Sequence, residues 1–206
     1  MNGFKFNNEV ATEGPIKARD VLVSEPKVLE TINNRIYFYS EIDRSSMLTL
    51  NRNLRELSGR FISEAITTDT KEPISLYLHI NSYGGSIFAG LAGMDEIIKT
   101  CEKVNITTII DGCCASAATF LSIVGKHRLI NRHAYMLIHQ LSSCAWGKYE
   151  ELKDNIQNMD KLMEMIKNLY KTYTKIPEEK LDEMLKHDLW FDAEECLKYG
   201  LVDEII

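Results

Sequence analysis

Apolar and polar positions along the chain switch repeatedly between a period near two and a period near 3.6, and the switches predict its elements. The aromatic, β-favouring run Arg35-Ile36-Tyr37-Phe38-Tyr39 predicts a strand. Asp43 or Ser45 then offers a cap for a helix carrying Leu48, Leu50, Leu54, Leu57 and Phe61. Residues 74–80 alternate as a second strand, ahead of a glycine turn at 81–85 and an apolar helix over 87–101. A strand over 106–110, a linking segment over 111–115, a small-residue helix over 116–124 and a strand over 134–138 continue the series. Such alternation predicts an α/β domain around a largely parallel, buried sheet.

A long helix is expected over 148–173, where Leu152, Ile156, Met159, Met163, Ile166 and Tyr170 recur at steps of three or four. A stripe of this kind packs on a core over part of its length, and the helix is long enough for one end to protrude onto another subunit. Pro177 opens a shorter helix to about 186, and 193–198 form a last one that Gly200 stops before a closing strand over 201–206. Residues 1–27 are polar, mixed in charge and broken by Gly14-Pro15, which predicts an N-terminal arm ahead of one domain over 28–206.

Composition narrows the function. With 206 residues, 45% hydrophobic and 26% charged, the chain has an ordinary globular make-up and enough apolar material for a core. The net charge of -6 argues against nucleic acid or an anionic membrane as partner. The five cysteines, Cys101, Cys113, Cys114, Cys144 and Cys196, are odd in number and contain no C-x-x-C pair. That argues against a disulfide scaffold or zinc site and for reduced, mostly buried thiols. No metal or cofactor is expected. The N-terminus lacks the build of a secretory signal and no apolar run reaches membrane length, so a soluble, cytoplasmic protein is expected.

Three local patterns can carry chemistry. Gly112-Cys113-Cys114-Ala115-Ser116-Ala117-Ala118 ends a strand in small residues and begins a helix with serine. Small neighbours admit a substrate backbone and the helix start supplies unpaired N–H groups, which suits a nucleophile; a plain helix cap fits the same residues. Asn81-Ser82-Tyr83-Gly84-Gly85-Ser86 frees backbone N–H groups for a ligand or simply turns the chain, and it lacks the lysine and spacing of a phosphate loop. His139 closes the apolar strand Met136-Leu137-Ile138 where a loop begins, a position suited to a general base or to a structural role. His79 lies within a strand, His127 and His133 in a polar stretch, and His187 near a helix end.

Taken in order, these motifs resemble the Clp protease proteolytic subunit (ClpP) family. The residues that carry the resemblance are Asn81-Ser82-Tyr83-Gly84-Gly85, Ala115-Ser116-Ala117, His139-Gln140, Ala193-Glu194-Glu195-Cys196 and Tyr199-Gly200-Leu201-Val202-Asp203. The resemblance runs from about 35 to 206. It implies a ClpP/crotonase-like α/β fold of repeated β-β-α units with a protruding long helix. It also implies a serine endopeptidase with Ser116 as nucleophile, His139 as base, and the N–H groups of Gly85 and Ala117 as oxyanion hole. Substrates would be unfolded or extended polypeptides, cleaved inside an oligomeric chamber of stacked heptameric rings, a tetradecamer, with a AAA+ unfoldase as a further partner.

The chain departs from the family pattern at the third triad position. The family reads D-T-x-x-D-x-F there, and alignment on Trp190 puts Met184 in place of the first, catalytic aspartate. Asp182, Glu183 and Asp188 remain as orienting carboxylates, with Asp188 taken as the catalytic one for its closeness to Trp190. Tyr83 and Leu141 also replace family prolines. Three other readings stay open: a catalytically weak structural paralogue in a mixed ring, a phage-type capsid-maturation peptidase, and a crotonase-like acyl-CoA enzyme, against which the pairing of Ser116 with His139 counts.

Overall fold

The computed structural model describes residues 28–69 and 75–206, so the arm expected over 1–27 and the strand residue Ile74 lie outside the described residues. β1 (Val28–Ile32) and β2 (Arg35–Tyr39) form an antiparallel hairpin turned at Asn33, whose φ of 55° suits asparagine in the left-handed region. α1 (Arg44–Thr68) starts from a reciprocal cap. The Asp43 carboxylate accepts from the Ser46 N–H at 2.8 Å, and the Asp43 N–H donates to Ser46 Oγ at 3.0 Å. The buried face of α1 is Met47, Leu50, Leu54 and Leu57; Leu48, expected on that face, is 73% exposed because it falls one position out of the stripe.

β3 (Ser75–Ser82), α2 (Ile87–Cys101), β4 (Asn105–Ala115) and α3 (Ala118–Ile123) follow in the expected order. β5 (His127–Ile130), β6 (Tyr135–Leu137), α4 (Tyr149–Tyr173), α5 (Glu178–Leu185), β7 (Trp190–Phe191), α6 (Ala193–Lys198) and β8 (Glu204–Ile205) complete the described chain. The sheet runs β1-β2-β3-β4-β5-β8, with β6 on β4 and β7 on β6. All pairings are parallel except β1–β2 and β6–β7, giving a mixed sheet with a parallel centre. Ile36, Phe38, Leu76, Leu78, Ile80, Ile106 and Ile110 face the core with Leu50, Leu54, Met94, Ile97 and Leu121 from the helices. Burying each such side chain contributes about 1.5–3 kcal/mol.

β4 runs five residues beyond the strand expected over 106–110, and it changes neighbour on the way. Residues 107–110 pair with β5, whereas 113–115 pair with β6. Gly112 lies between them at φ 85°, a conformation that side chains disfavour, where the register against β3 shifts. β5 went unforeseen because His127-Arg128 reads as polar. Arg128 is nonetheless largely buried: it donates to Asp203 Oδ2 at 2.9 Å and to the carbonyls of Tyr173 at 2.7 Å and Gly200 at 2.8 Å.

α4 divides as its length suggested. Ile166 and Tyr170 are buried and Met163 packs beside the core, while Ile156 in the first half is 60% exposed. Among the described residues no helix is long and apolar enough to cross a membrane.

Candidate active site

Past Gly112 the end of β4 pairs with β6, and Ser116 follows directly. Its φ of 55° is left-handed, a conformation that costs a non-glycine residue roughly 1–2 kcal/mol. Two backbone hydrogen bonds hold it. The Ser116 N–H donates to the Leu137 carbonyl at 2.9 Å, and the Ser116 carbonyl accepts from the Thr119 N–H at 3.0 Å. Ser116 does not cap α3 with its side chain; Ala117 stands at the N-cap and makes no side-chain cap bond.

The glycine turn packs against this serine. Gly84 has φ 97° and Gly85 φ 144°. A Cβ on Gly84 would lie 2.7 Å from Ser116 Cβ and 2.7 Å from the Ala115 carbonyl oxygen, so only glycine allows this approach. Ile42 grips the turn from the other side. Its N–H donates to the Gly84 carbonyl at 2.8 Å, and its own carbonyl accepts from the Ser86 N–H at 2.8 Å. In this parallel bridge the bonds go to residues 84 and 86, which turns the Gly85 amide away from Ile42.

Gly85, Ser116, Ala117 and His139 line one cavity of about 260 Å³, together with Ser86, Ile87, Phe120, Gln140, Leu141, Ser142, Ile166 and Tyr170. Thus four of the five sequence-derived site residues border the same cavity. The fifth, Asp188, is outside the cavity lining but beside the histidine: its Oδ1 is 3.5 Å from His139 Nδ1. Its side chain is 63% exposed, that of His139 21%.

Strand register explains why Asp188 meets His139. β6 and β7 run antiparallel with Leu137 opposite Trp190. Each step outward along one is a step back along the other, so two residues past Leu137 lies across from two residues before Trp190. The other carboxylates have partners elsewhere. Asp182 Oδ1 accepts from Lys167 at 2.6 Å, and Glu183 sits 3.1 Å from His187 Nε2 and 3.5 Å from Lys186. Those contacts, led by the Lys167 hydrogen bond for Asp182 and the His187 hydrogen bond for Glu183, lower both carboxyl pKa values. Met184, which the motif resemblance aligns with the family's aspartate, is buried in the core.

His79 forms a tighter pair, with Nδ1 2.7 Å from Asp111 Oδ2. Its Nε2 lies 2.8 Å from Arg35 Nη1, and a guanidinium can only donate. Nε2 is therefore the acceptor, Nδ1 carries the proton, and this imidazole has no free nitrogen for a substrate.

Two features escaped the sequence reading: the left-handed Ser116, and the hydrogen bond between Thr119 and Tyr170 behind it at 2.6 Å. A strand that runs into alanine and serine with glycine nearby hints at the first. Nothing local hints at the second, since the partners are 51 residues apart.

A mixed α/β sheet thus carries a left-handed serine at a strand end, with a histidine lining the same cavity. The chain matches the Clp protease family over residues 31–206 and belongs to that family. It is similar to the ATP-dependent Clp protease proteolytic subunit of Deinococcus radiodurans, with 28% identity over 154 residues, covering 73% of this chain and 74% of that one. By family it is a protease of the Clp type, with the fold that the motif order implied.

Proposed function

We propose that the chain is a serine endopeptidase in which Ser116 is the nucleophile and His139 the general base. The observation that carries this reading is that Ser116, His139, Gly85 and Ala117 line one cavity, with Ser116 held in a left-handed turn. With Nδ1 turned to Asp188, His139 has Nε2 for the serine proton. Ser116 Oγ attacks the peptide carbonyl and His139 takes the hydroxyl proton. The N–H groups of Gly85 and Ala117 hold the oxyanion. His139 then protonates the leaving amine, and water, deprotonated by the same imidazole, releases the acyl group. An extended peptide can add alongside 82–87, and the apolar side chains of Ile87, Phe120, Leu141 and Ile166 suit an apolar residue next to the cut.

The peptide step needs no ATP. The exposed first half of α4, with Ile156 and Tyr149 outward, supports assembly into a ringed chamber, which a AAA+ unfoldase would feed. In a reducing cytoplasm the five cysteines would remain thiols. The exposed Asp188 at 3.5 Å also favours a second reading, a catalytically weak subunit that lines a mixed ring.

A fluorophosphonate probe tests the nucleophile. Wild type is expected to label and Ser116→Ala is expected not to; equal labelling of the two, or none of wild type, overturns the proposal. Sedimentation tests the assembly, and a stable monomer at micromolar concentration counts against the chamber.

A further inference from the structure

Among the described residues, three non-glycine residues have positive φ: Asn33, Asp69 and Ser116. Asn33 and Asp69 occupy exposed element ends and are of the types that tolerate this region. Ser116 has neither advantage, so its conformation must be imposed from outside its own turn.

Besides the bond from its N–H to Leu137, the holding contacts converge on its carbonyl oxygen. Beside the Thr119 N–H, that oxygen accepts from Thr119 Oγ1 at 2.6 Å. A threonine hydroxyl has one proton, and here it is spent on Ser116. The 2.6 Å contact between Thr119 Oγ1 and Tyr170 Oη therefore runs from tyrosine to threonine. The order is Tyr170 O–H to Thr119 O–H to Ser116 carbonyl, and each bond polarises the next. Thr119 and Tyr170 are both buried, so water does not compete with the chain. Burial also pushes the Tyr170 hydroxyl far above the usual tyrosine value, which keeps it a donor.

The same helix holds the histidine's side of the cavity. Met163, two turns before Tyr170 on one face of α4, accepts from the Leu141 N–H at 3.1 Å, two residues past His139. One inward face of α4 thus contacts both chain segments that bear the proposed nucleophile and base.

We infer that Tyr170, acting through Thr119, is a positioning residue that keeps Ser116 in its left-handed turn on the cavity wall. The inference rests on Ser116 being the nucleophile. Neither Tyr170 nor Thr119 transfers a proton to substrate; their hydroxyls fix the backbone from which the serine attacks.

Tyr170→Phe removes the first donor and keeps the ring, while Thr119→Val removes the link and keeps the shape. Each is expected to slow probe labelling and lower kcat about 3- to 10-fold, with KM for a short peptide unchanged. Thr119→Ser, which restores the hydroxyl, is expected to recover kcat to within about twofold of wild type. The double variant Tyr170→Phe/Thr119→Val is expected to lose no more than the worse single, because both break one chain. Rates are taken per folded molecule, from the thermal transition of each variant. Wild-type labelling and kcat in both single variants overturn the inference and leave the nucleophile standing. So does a loss that Thr119→Ser fails to rescue, which would mark a packing role only. If Ser116→Ala labels as wild type does, the nucleophile and the inference fall together.

Discussion

Ser116 and Leu137 are joined backbone to backbone: the serine N–H donates to the leucine carbonyl at 2.9 Å. Leu137 is also the residue paired with Trp190 and lies two positions before His139. Three segments far apart in sequence are therefore registered on one residue of β6. The separation of serine, histidine and Asp188 is set by backbone hydrogen bonds rather than by flexible side chains, which is how a reacting geometry is kept rigid.

That register makes Asp188 the carboxylate to test. Asp188→Asn should lower kcat on a peptide substrate by about 10- to 100-fold, less than the ~10⁴ known for a buried triad aspartate, because solvent already reaches this one. Asp182→Asn and Glu183→Gln should stay near wild type, since those groups serve Lys167 and His187. Equal activity in all three variants would sink the carboxylate's role.

The close approach of the glycine turn gives a second test with an internal control. Gly84→Ala would press a methyl into Ser116 and Ala115, at a φ that already disfavours a side chain, and should reduce probe labelling by more than about 100-fold. Gly59→Ala lies within α1 with no atom nearby, and should raise stability by about 0.5–1 kcal/mol with labelling unchanged. Normal labelling of Gly84→Ala would show that the turn does not shape the serine's surroundings.

Acid stability should report on Asp111. Burial opposes its ionisation, but hydrogen bonds from His79, Tyr39 and Asn131 outweigh that and hold its carboxyl below the usual 3.8. Because the folded-state value is the lower one, the unfolded chain binds the proton more readily. The stabilisation is fully present above about pH 4 and disappears as pH falls through the folded value. In denaturant titrations from neutral pH to about pH 2, Asp111→Asn should be less stable than wild type at neutral pH, and the gap should shrink through the acid range. A gap independent of pH would show that the carboxylate's charge is not what stabilises the fold.

The order of elements and the residues at their ends were legible in the sequence, because each depends on a few neighbouring positions. Asp43 caps α1, apolar steps of three and four mark α4, and Ser116, His139 and Gly85 all stand where a strand or turn ends. Leu48 was misassigned by one position, and β1, β5 and β7 were missed, since strands of two to five residues take their form from the strands beside them. What tertiary structure alone decided is how the ends meet. The pairing of β6 with β7 brings Asp188 to His139, a meeting that the motif order did not encode. The packing of α4 brings Tyr170 to Thr119 behind a serine whose left-handed turn no local pattern announces. Both are contacts across long stretches of chain, set by register and packing, and a single sequence has no periodicity that encodes them.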